Sequence, residues 1–310
     1  MMSLKSGISV VVPVYRSERT LRELVNRIST SIANEHFEII LVDDASGDGT
    51  WEEISKISTS IDHVKGIRLG RNSGQQSALL AGVRSARFSL IITIDDDLQN
   101  PPEEIPKLLA ALTDDLDVVC GISTNIKQNT YRRLGSKISR RLISSILGFS
   151  NLAHMSSFRL FRTELRIGFN APLGPNVSLD ALLTWSTSRF GVAEVAHSER
   201  VEGASNYSLR KLIRFMVDIA TGYSVLPLQF ATSIGFITII FGLALMVFVL
   251  MGPLIFGVVV PGFAFLSSAI ALFAGVQIMA LGIIGEYIGR MHFRVMNKPS
   301  YVIAEATSEI

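Results

Sequence analysis

The chain has 310 residues, of which 48% are hydrophobic, a formal net charge of +2 and a mean hydropathy of +0.38. This length allows at least one full domain, and the apolar excess argues against an ordinary soluble enzyme and for a segment in lipid. The small charge gives no indication of nucleic-acid binding, and the only cysteine, Cys120, excludes an intrachain disulfide and a cysteine-based zinc site.

Short apolar strands alternate with helical patterns through the amino-terminal part of the chain. The predicted strands are 8–12, 37–42, 64–69 and 90–94, and the predicted helices are 18–32, 50–57, 74–86 and 103–112. Alternating strands and helices predict an α/β fold with a mostly parallel sheet covered on both faces. Because the first apolar run is too short for a signal peptide, this half is expected to remain in the cytosol.

Polar residues follow the end of each predicted strand. They are Pro13 and Tyr15, Asp43 and Asp44, Arg71 and Asn72, and Asp95, Asp96 and Asp97. In parallel sheets ligands bind outside the carboxyl ends of the strands, so these residues are expected to line one crevice. A turn-forming role is the alternative for Asp43 or Asp44. Neither a GxGxxG nor a GxxxxGK[ST] motif occurs, so metal and cations would have to hold any diphosphate.

The segment LIITIDDDLQNPP, residues 90–102, carries the clearest chemical signal. Side chains along an extended strand alternate between its faces, so Asp95 and Asp97 are predicted to share one face and Asp96 to point the other way. Gln99 continues the alternation of the pair. Oxygen ligands of this kind suit Mg²⁺ or Mn²⁺ shared with a substrate diphosphate. The alternative is a solvated acidic turn before a helix that begins near Pro101.

A basic segment follows the predicted sheet strands. Arg132, Arg133, Lys137, Arg140 and Arg141 are interrupted by apolar residues, so one helix face is suited to contact phosphate or membrane. A solvated helix face is the alternative. The five histidines lack metal-ligand spacing of the HExxH kind.

The apolar excess lies near the carboxyl terminus, where no Asp, Glu, Lys or Arg occurs from Ile219 through Gly285. Residues 229–251 and 263–289 are predicted to cross a hydrocarbon core of about 30 Å as a helical hairpin. A pair of buried core helices is the alternative. Basic residues flank the hairpin, so the positive-inside rule places both termini in the cytoplasm.

An amphipathic pattern precedes the hairpin. Leu209, Leu212, Ile213, Met216 and Ile219 recur at helical spacing, with basic residues elsewhere on the wheel. This pattern is typical of a helix at the membrane surface, and a helix that faces a domain core is the alternative.

Several blocks carry a family resemblance. The segments VVPVYRSERTL, ILVDDASGDGT, LGRNSGQQSALLAG and TIDDDLQNPPE resemble successive blocks of family 2 glycosyltransferases with the GT-A fold. The later segments SFRLF, VEGASNYSLRKL and GEYIGRMHFRVMNKPSY are similar to the polyisoprenyl-phosphate branch, which includes dolichyl-phosphate mannose synthases and bactoprenol glucosyltransferases.

The resemblance implies a role for individual residues. It assigns the metal ligands to Asp95, Asp97 and Gln99. The predicted nucleotide-sugar contacts are Pro13, Tyr15, Asp43, Asp44, Arg71, Asn72 and Asp96, and the predicted contacts to the acceptor phosphate are Arg133, Lys137, Arg159 and Arg200. Asp180 is a candidate sugar ligand or residual base and joins Asp95 and Asp97 as a catalytic candidate, with helix capping as its alternative.

The chain departs from the family pattern in three places. Arg16 and Ser17 stand where many relatives have Asn-Glu, Ser157 stands where the branch often has an aspartate, and Asn206 replaces a frequent lysine. The aspartate that Ser157 replaces is a candidate catalytic base in the branch. Its absence is acceptable because a lipid monophosphate already carries an ionised oxygen near pH 7.

The resemblance implies inverting transfer of one sugar to undecaprenyl phosphate, with Mg²⁺ or Mn²⁺ as cofactor and UDP-glucose as the expected donor. GDP-mannose is the alternative donor, and an inactive membrane scaffold is the alternative of another class. A processive polysaccharide synthase would show a QxxRW block, which is absent.

The expected organisation is a GT-A domain at 1–206, juxtamembrane helices at 207–228, the two spans, and a cytoplasmic tail at 290–310. The chain is expected in the cell inner membrane, in contact with the lipid bilayer. A homo-oligomer and a flippase partner are further expectations from the resemblance.

Overall fold

A mixed β-sheet organises most of the chain. The computed structural model describes residues 5–123, 156–169, 178–196, 226–256, 262–296 and 299–308. The chain divides into two units, one formed by Met1–Tyr207 together with Met296–Ile310 and the other by Ser208–Val295. The amphipathic pattern at 209–219 and the basic segment at 132–141 lie outside the described residues.

The sheet belongs to the first unit. Its strands are β1 (Lys5–Val14), β2 (Phe37–Asp43), β3 (Val64–Leu69), β4 (Phe88–Thr93), β5 (Val118–Ser123), β6 (Arg159–Arg162), β7 (Phe190–Val195) and β8 (Ile303–Ala306). They lie in the order β7-β5-β6-β4-β1-β2-β3-β8. Strands β4, β1, β2 and β3 run parallel, as do β5 and β7, whereas β6 and β8 are antiparallel to their neighbours. The predicted mostly parallel α/β sheet is confirmed.

Helices cover the two faces of this sheet. They are α1 (Leu21–Ser31), α2 (Thr50–Ser60), α3 (Gln75–Ser85), α4 (Ile105–Ala111) and α5 (Leu179–Ser186). Alternate residues of β1 face opposite cores, because Val10 and Val12 pack with α1, α2 and α4 whereas Val11 packs with α3 and α5. Both cores are fully buried, which explains why the central strands are continuous apolar runs.

The carboxyl-terminal residues return to the sheet. Strand β8 pairs antiparallel with β3, with Ile67 opposite Ala306 and Arg68 opposite Glu305. This region is predicted only as a cytoplasmic tail, whereas the structure shows that it supplies an edge strand to the first unit.

The second unit contains two long helices, α6 (Leu226–Phe256) and α7 (Gly262–Val295). Several of their apolar side chains are exposed, among them Phe230, Phe236, Ile278 and Leu281. In the described part of the chain, no helix has the length and apolar character needed to cross a membrane. The predicted spans lie within α6 and α7, and their insertion into a membrane is not confirmed.

Candidate active site

A cleft opens at the carboxyl ends of β1, β2 and β4. Strand order reverses here, because β1 pairs with β2 on one side and with β4 on the other, which is the usual position of a ligand site in such sheets. The cleft has a volume of about 410 Å³ and is lined by Pro13, Val14, Tyr15, Asp44, Asn72, Gly74, Gln75, Ala78, Asp95, Asp96 and Asp97. Seven of these residues are predicted site residues.

The three aspartates lie in a turn and not in a strand. Strand β4 ends at Thr93, and Leu98 adopts a left-handed backbone conformation with φ 56°. The predicted strand alternation is therefore wrong as the reason for their orientation, because strand β4 ends before Asp95. Hydrogen bonds orient the carboxylates instead.

Asp95 and Asp96 bind different neighbours. Asp95 accepts hydrogen bonds from Gln75 Nε2 at 2.7 Å and from the Ser157 hydroxyl. Asp96 accepts from the Tyr15 backbone N–H at 3.1 Å and from Ser17 Oγ at 2.5 Å. Asp95 is therefore anchored at α3, and Asp96 is anchored at the segment that follows β1.

Burial sets the electrostatics of this acidic turn. Desolvation raises the pKa of Asp95, and the nearby charge of Asp97 raises it further against the hydrogen bond from Ser157. Desolvation likewise raises the pKa of Asp96. Partly desolvated carboxylates held close together are stabilised in their ionised form by a cation.

The donor set fits a hard divalent cation that is shared with a ligand. Asp95 and Asp97 supply carboxylate oxygens to the cleft. The described residues contain no group of three or more His, Cys, Asp or Glu side chains placed to hold a metal. A cation bound by two carboxylates completes its shell with water and phosphate oxygens, which is the usual arrangement for Mg²⁺. Gln99 donates its backbone N–H to Asp97 at 3.1 Å and does not line the cleft.

The other end of the cleft is formed by Asp44 and the loop before α3. Asp44 accepts hydrogen bonds from the backbone N–H groups of Ser73 at 2.7 Å and Gly74 at 2.8 Å, and burial raises its pKa. Gly74 has φ 89°, a backbone conformation that favours glycine. Asn72 lines the cleft, whereas Arg71 is exposed outside it.

Asp43 lies beneath the cleft and does not line it. Its side chain is fully buried. One carboxylate oxygen accepts hydrogen bonds from Ser46 N at 3.1 Å and Ser46 Oγ at 2.5 Å, and the other lies 3.6 Å from Arg68 Nε. A direct nucleotide contact by Asp43 stays a prediction, and the structure shows a supporting position.

Tyr15 stands at the rim of the cleft. It is 44% exposed, and the Arg16 guanidinium lies 5.3 Å from its ring centroid. Arg16 has φ 56° and donates its backbone N–H to Ser46 Oγ at 3.0 Å. An exposed aromatic ring held in this way offers a stacking surface for a planar group.

Arg159 and Asp180 form an ion pair beside the acidic turn. Arg159 is fully buried, and its guanidinium donates to the Asp180 carboxylate and to Thr93 Oγ1, the latter at 3.3 Å. Ser178, and not Asp180, caps α5. An acceptor-phosphate contact by Arg159 stays a prediction, because its cation already has a carboxylate partner. Arg133, Lys137 and Arg200 lie outside the described residues.

Gln75, Ser17 and Ser157 bind the aspartates of the site but are not among the predicted site residues. Gln75 lies in the quoted block LGRNSGQQSALLAG. In the sequence, Ser17 and Ser157 stand out only as departures from a family pattern. Their hydrogen bonds to Asp96 and Asp95 bring together residues that are far apart in the chain.

A mostly parallel sheet with an acidic turn and a second carboxylate at its switch point is the arrangement that the resemblance to glycosyltransferases of the GT-A type predicts. The model of the family described as "Glycosyl transferase family 2" matches residues 9–167. The chain belongs to this family of glycosyltransferases.

Curated relatives match over nearly the full length. An undecaprenyl-phosphate 4-deoxy-4-formamido-L-arabinose transferase of Proteus mirabilis is 35% identical over 96% of this chain and 92% of the relative. The protein of the same name from Aeromonas hydrophila is 33% identical over the same shares of the two chains. The predicted fit to the polyisoprenyl-phosphate branch is confirmed.

Solved structures show the same fold at low sequence identity. Glucosyl-3-phosphoglycerate synthase from Mycobacterium tuberculosis, in complex with Mn²⁺, uridine diphosphate and glucosyl-3-phosphoglycerate, matches with a TM-score of 0.52 and 17% identity. The match covers 70% of this chain and 78% of that one. The predicted GT-A fold is confirmed.

Proposed function

We propose that this glycosyltransferase moves one sugar from a uridine diphosphate sugar to undecaprenyl phosphate with inversion at the anomeric carbon. The single observation that carries the proposal is the continuous cleft that joins Asp95 and Asp97 to Asp44 and Tyr15. Its two ends suit a diphosphate with its cation and a nucleoside. The names of the two relatives support the acceptor.

The residues of the cleft have separate tasks in this reaction. Asp95 and Asp97 would hold Mg²⁺ or Mn²⁺, which when bound neutralises charge on the departing nucleoside diphosphate. Asp44 and Asn72 offer polar groups to the nucleoside, and Tyr15 offers a ring face. The complex of the structural neighbour with Mn²⁺ and uridine diphosphate supports this choice of ligands.

The acceptor needs no base in this reaction. A lipid monophosphate already presents an ionised oxygen, so the chain has to position it and exclude water. Ser157 is consistent with a reaction that needs no base at this position, because its hydroxyl donates to Asp95 and orients that carboxylate. The ion-paired Asp180 is then a structural partner of Arg159 and a candidate contact for sugar hydroxyls.

The donor sugar is tested directly. Purified full-length protein in detergent is incubated with Mn²⁺ or Mg²⁺, undecaprenyl phosphate, and in turn UDP-glucose, GDP-mannose and the uridine diphosphate form of 4-deoxy-4-formamido-L-arabinose. We expect a lipid-phosphate sugar from one uridine donor and none after excess chelator. Transfer that persists in chelator, or no lipid product from any donor, would contradict the proposal. Production from GDP-mannose alone would establish the alternative donor.

We further propose that the protein works at the cytoplasmic membrane face. The uncharged sequence from Ile219 through Gly285 and the exposed apolar side chains of α6 and α7 support this placement. Retention of the chain in carbonate-washed membranes, with the first unit open to added protease only from the cytoplasmic side, is the expected result. Release by carbonate would refute it. The homo-oligomer and the flippase partner stay predictions.

A further inference from the structure

The carboxyl-terminal strand β8 is bonded to the part of the sheet that carries the donor site. Val302 accepts a hydrogen bond from Gly70 N at 2.8 Å, and Thr307 exchanges bonds with Gly66 at 2.9 and 3.0 Å. Gly70 begins the loop whose Ser73 and Gly74 N–H groups bind Asp44. The strand therefore lies one short loop away from the nucleoside end of the cleft.

Glu305 of β8 makes the side-chain connection. One of its carboxylate oxygens accepts a hydrogen bond from Trp51 Nε1 at 2.9 Å, and the other accepts from Arg68 Nη1 at 3.2 Å. The Arg68 guanidinium also lies 5.9 Å from the centroid of the Trp51 ring. Glu305 and Trp51 together fix the orientation of the Arg68 guanidinium.

Arg68 connects Glu305 to the buried Asp43. Its Nε lies 3.6 Å from Asp43 Oδ2, a fully buried oxygen that accepts no hydrogen bond among the described residues. The other oxygen of Asp43 binds Ser46, whose hydroxyl in turn accepts the backbone N–H of Arg16. Arg16 is the residue next to Tyr15, so the contacts run unbroken from the strand to the rim of the cleft.

We propose that Glu305 is a positioning residue for the nucleotide donor and acts through Arg68 on Asp43. This inference rests on the proposed function and adds to it that the carboxyl-terminal strand is part of the donor site. The competing interpretation is that β8 only covers the open edge of β3, a common role for a short edge strand.

Two properties separate these interpretations. A positioning role changes affinity for the nucleotide more than thermal stability, whereas an edge-covering role does the reverse. A positioning role through Arg68 also predicts that the effects of changing Glu305 and Arg68 do not add, because residues of one contact network are coupled. The KM for the acceptor should be unchanged in both variants.

The experiment uses full-length protein with Mn²⁺ and measures uridine diphosphate binding by calorimetry, together with donor and acceptor KM and kcat. The variants are Glu305→Gln, Arg68→Gln and the double variant. Glu103→Gln is the matched control, because Glu103 pairs with Arg27 at the surface at 2.8 Å and lines no part of the cleft. Glu305 has a half-exposed side chain, so its variant is expected to fold.

We expect Glu305→Gln to weaken uridine diphosphate binding about three- to fivefold, the upper part of the range for a partly exposed ion pair. Arg68→Gln should weaken it about tenfold, because it leaves a buried carboxylate oxygen without its cation. The double variant should match Arg68→Gln within about twofold. Donor KM should follow the binding constants, whereas kcat, acceptor KM and the Glu103→Gln control stay unchanged.

The inference is overturned if Glu305→Gln binds uridine diphosphate as tightly as the wild type, if its effect adds in full to that of Arg68→Gln, or if acceptor KM rises equally. These results leave the proposed function intact, because the wild type still transfers sugar. A wild-type chain that binds no uridine diphosphate refutes the proposed function and this inference with it.

Discussion

Replacing Ser157 by alanine tests whether hydrogen bonds tune the acidic turn. The Ser157 hydroxyl donates to one oxygen of Asp95, while Gln75 holds the other at 2.7 Å. Burial raises the pKa of Asp95, and the bond from Ser157 is the leading opposing contribution. Ser157→Ala should therefore raise the pKa of Asp95 further.

The size of the effect follows from the kind of bond that is lost. A hydrogen bond to a charged group contributes about 1.5–3 kcal/mol, and one pKa unit corresponds to about 1.4 kcal/mol. The acid limb of the pH–rate profile should thus move up by about one to two units. The sign follows because only ionised Asp95 can hold a cation, so activity is lost as the pH falls through its pKa.

The assay is kcat/KM for sugar transfer between pH 5 and pH 9 at a fixed, limiting Mn²⁺ concentration, where protons and the cation compete for Asp95, with Mn²⁺ affinity measured in parallel. Ser85→Ala is the matched control, because its hydroxyl donates to Ala81 O at 3.0 Å at the carboxyl-terminal end of α3 and has no other hydrogen bond within the described ranges. A Ser157→Ala profile that superimposes on the wild type, with unchanged Mn²⁺ affinity, would refute this account of Asp95.

Three further outcomes are expected. Asp97→Asn should abolish Mn²⁺-dependent transfer. It should also raise the free energy of unfolding of the metal-free protein by up to about 1 kcal/mol, because it removes the charge that opposes ionisation of Asp95. A lower thermal midpoint than that of the wild type would contradict this. Asp180→Asn should lower the free energy of unfolding by about 2–3 kcal/mol by removing the direct ion-pair partner of the buried Arg159. An unchanged thermal midpoint would show that the pair contributes nothing. Mn²⁺ at about 100 times its Kd should raise the thermal midpoint by about 5 °C near pH 7 and by less near pH 5, whereas an equal rise at both values would exclude the aspartates as its ligands.

The periodicity of apolar residues and the composition were sufficient to predict the core of the fold. Strands 37–42 and 64–69 were located to within one residue, because FEIILV is a mostly apolar run and VKGIRL places apolar residues at 64, 67 and 69 between polar segments. Strand β8 was not predicted, because IAEA is short and only one of its four residues is strongly apolar. Its place in the sheet depends on pairing with β3, which lies more than 200 positions earlier in the chain, and no local pattern reports such a contact.

The candidate site shows the same division between local and distant information. Asp44, Asp95, Asp96 and Asp97 were found because residues at the carboxyl ends of parallel strands converge. The burial of Asp43 and the pairing of Arg159 with Asp180 were not found. A sequence shows that a charged residue follows a strand, but its exposure depends on which distant side chain meets it.

The raised pKa values of Asp44, Asp95 and Asp96 also connect the site to the stability of the fold. A carboxyl whose pKa is higher in the folded state binds more protons there, so its contribution to stability is complete below the ordinary value of 3.8 and is lost as the pH rises through the raised value. Glu38 and Asp117 have lowered pKa values and act in the opposite sense. At neutral pH the acidic turn is therefore a local cost to the folded chain, and a bound cation removes part of that cost. Substitutions that stabilise the metal-free protein at this turn should for the same reason weaken the cation on which the proposed transfer depends.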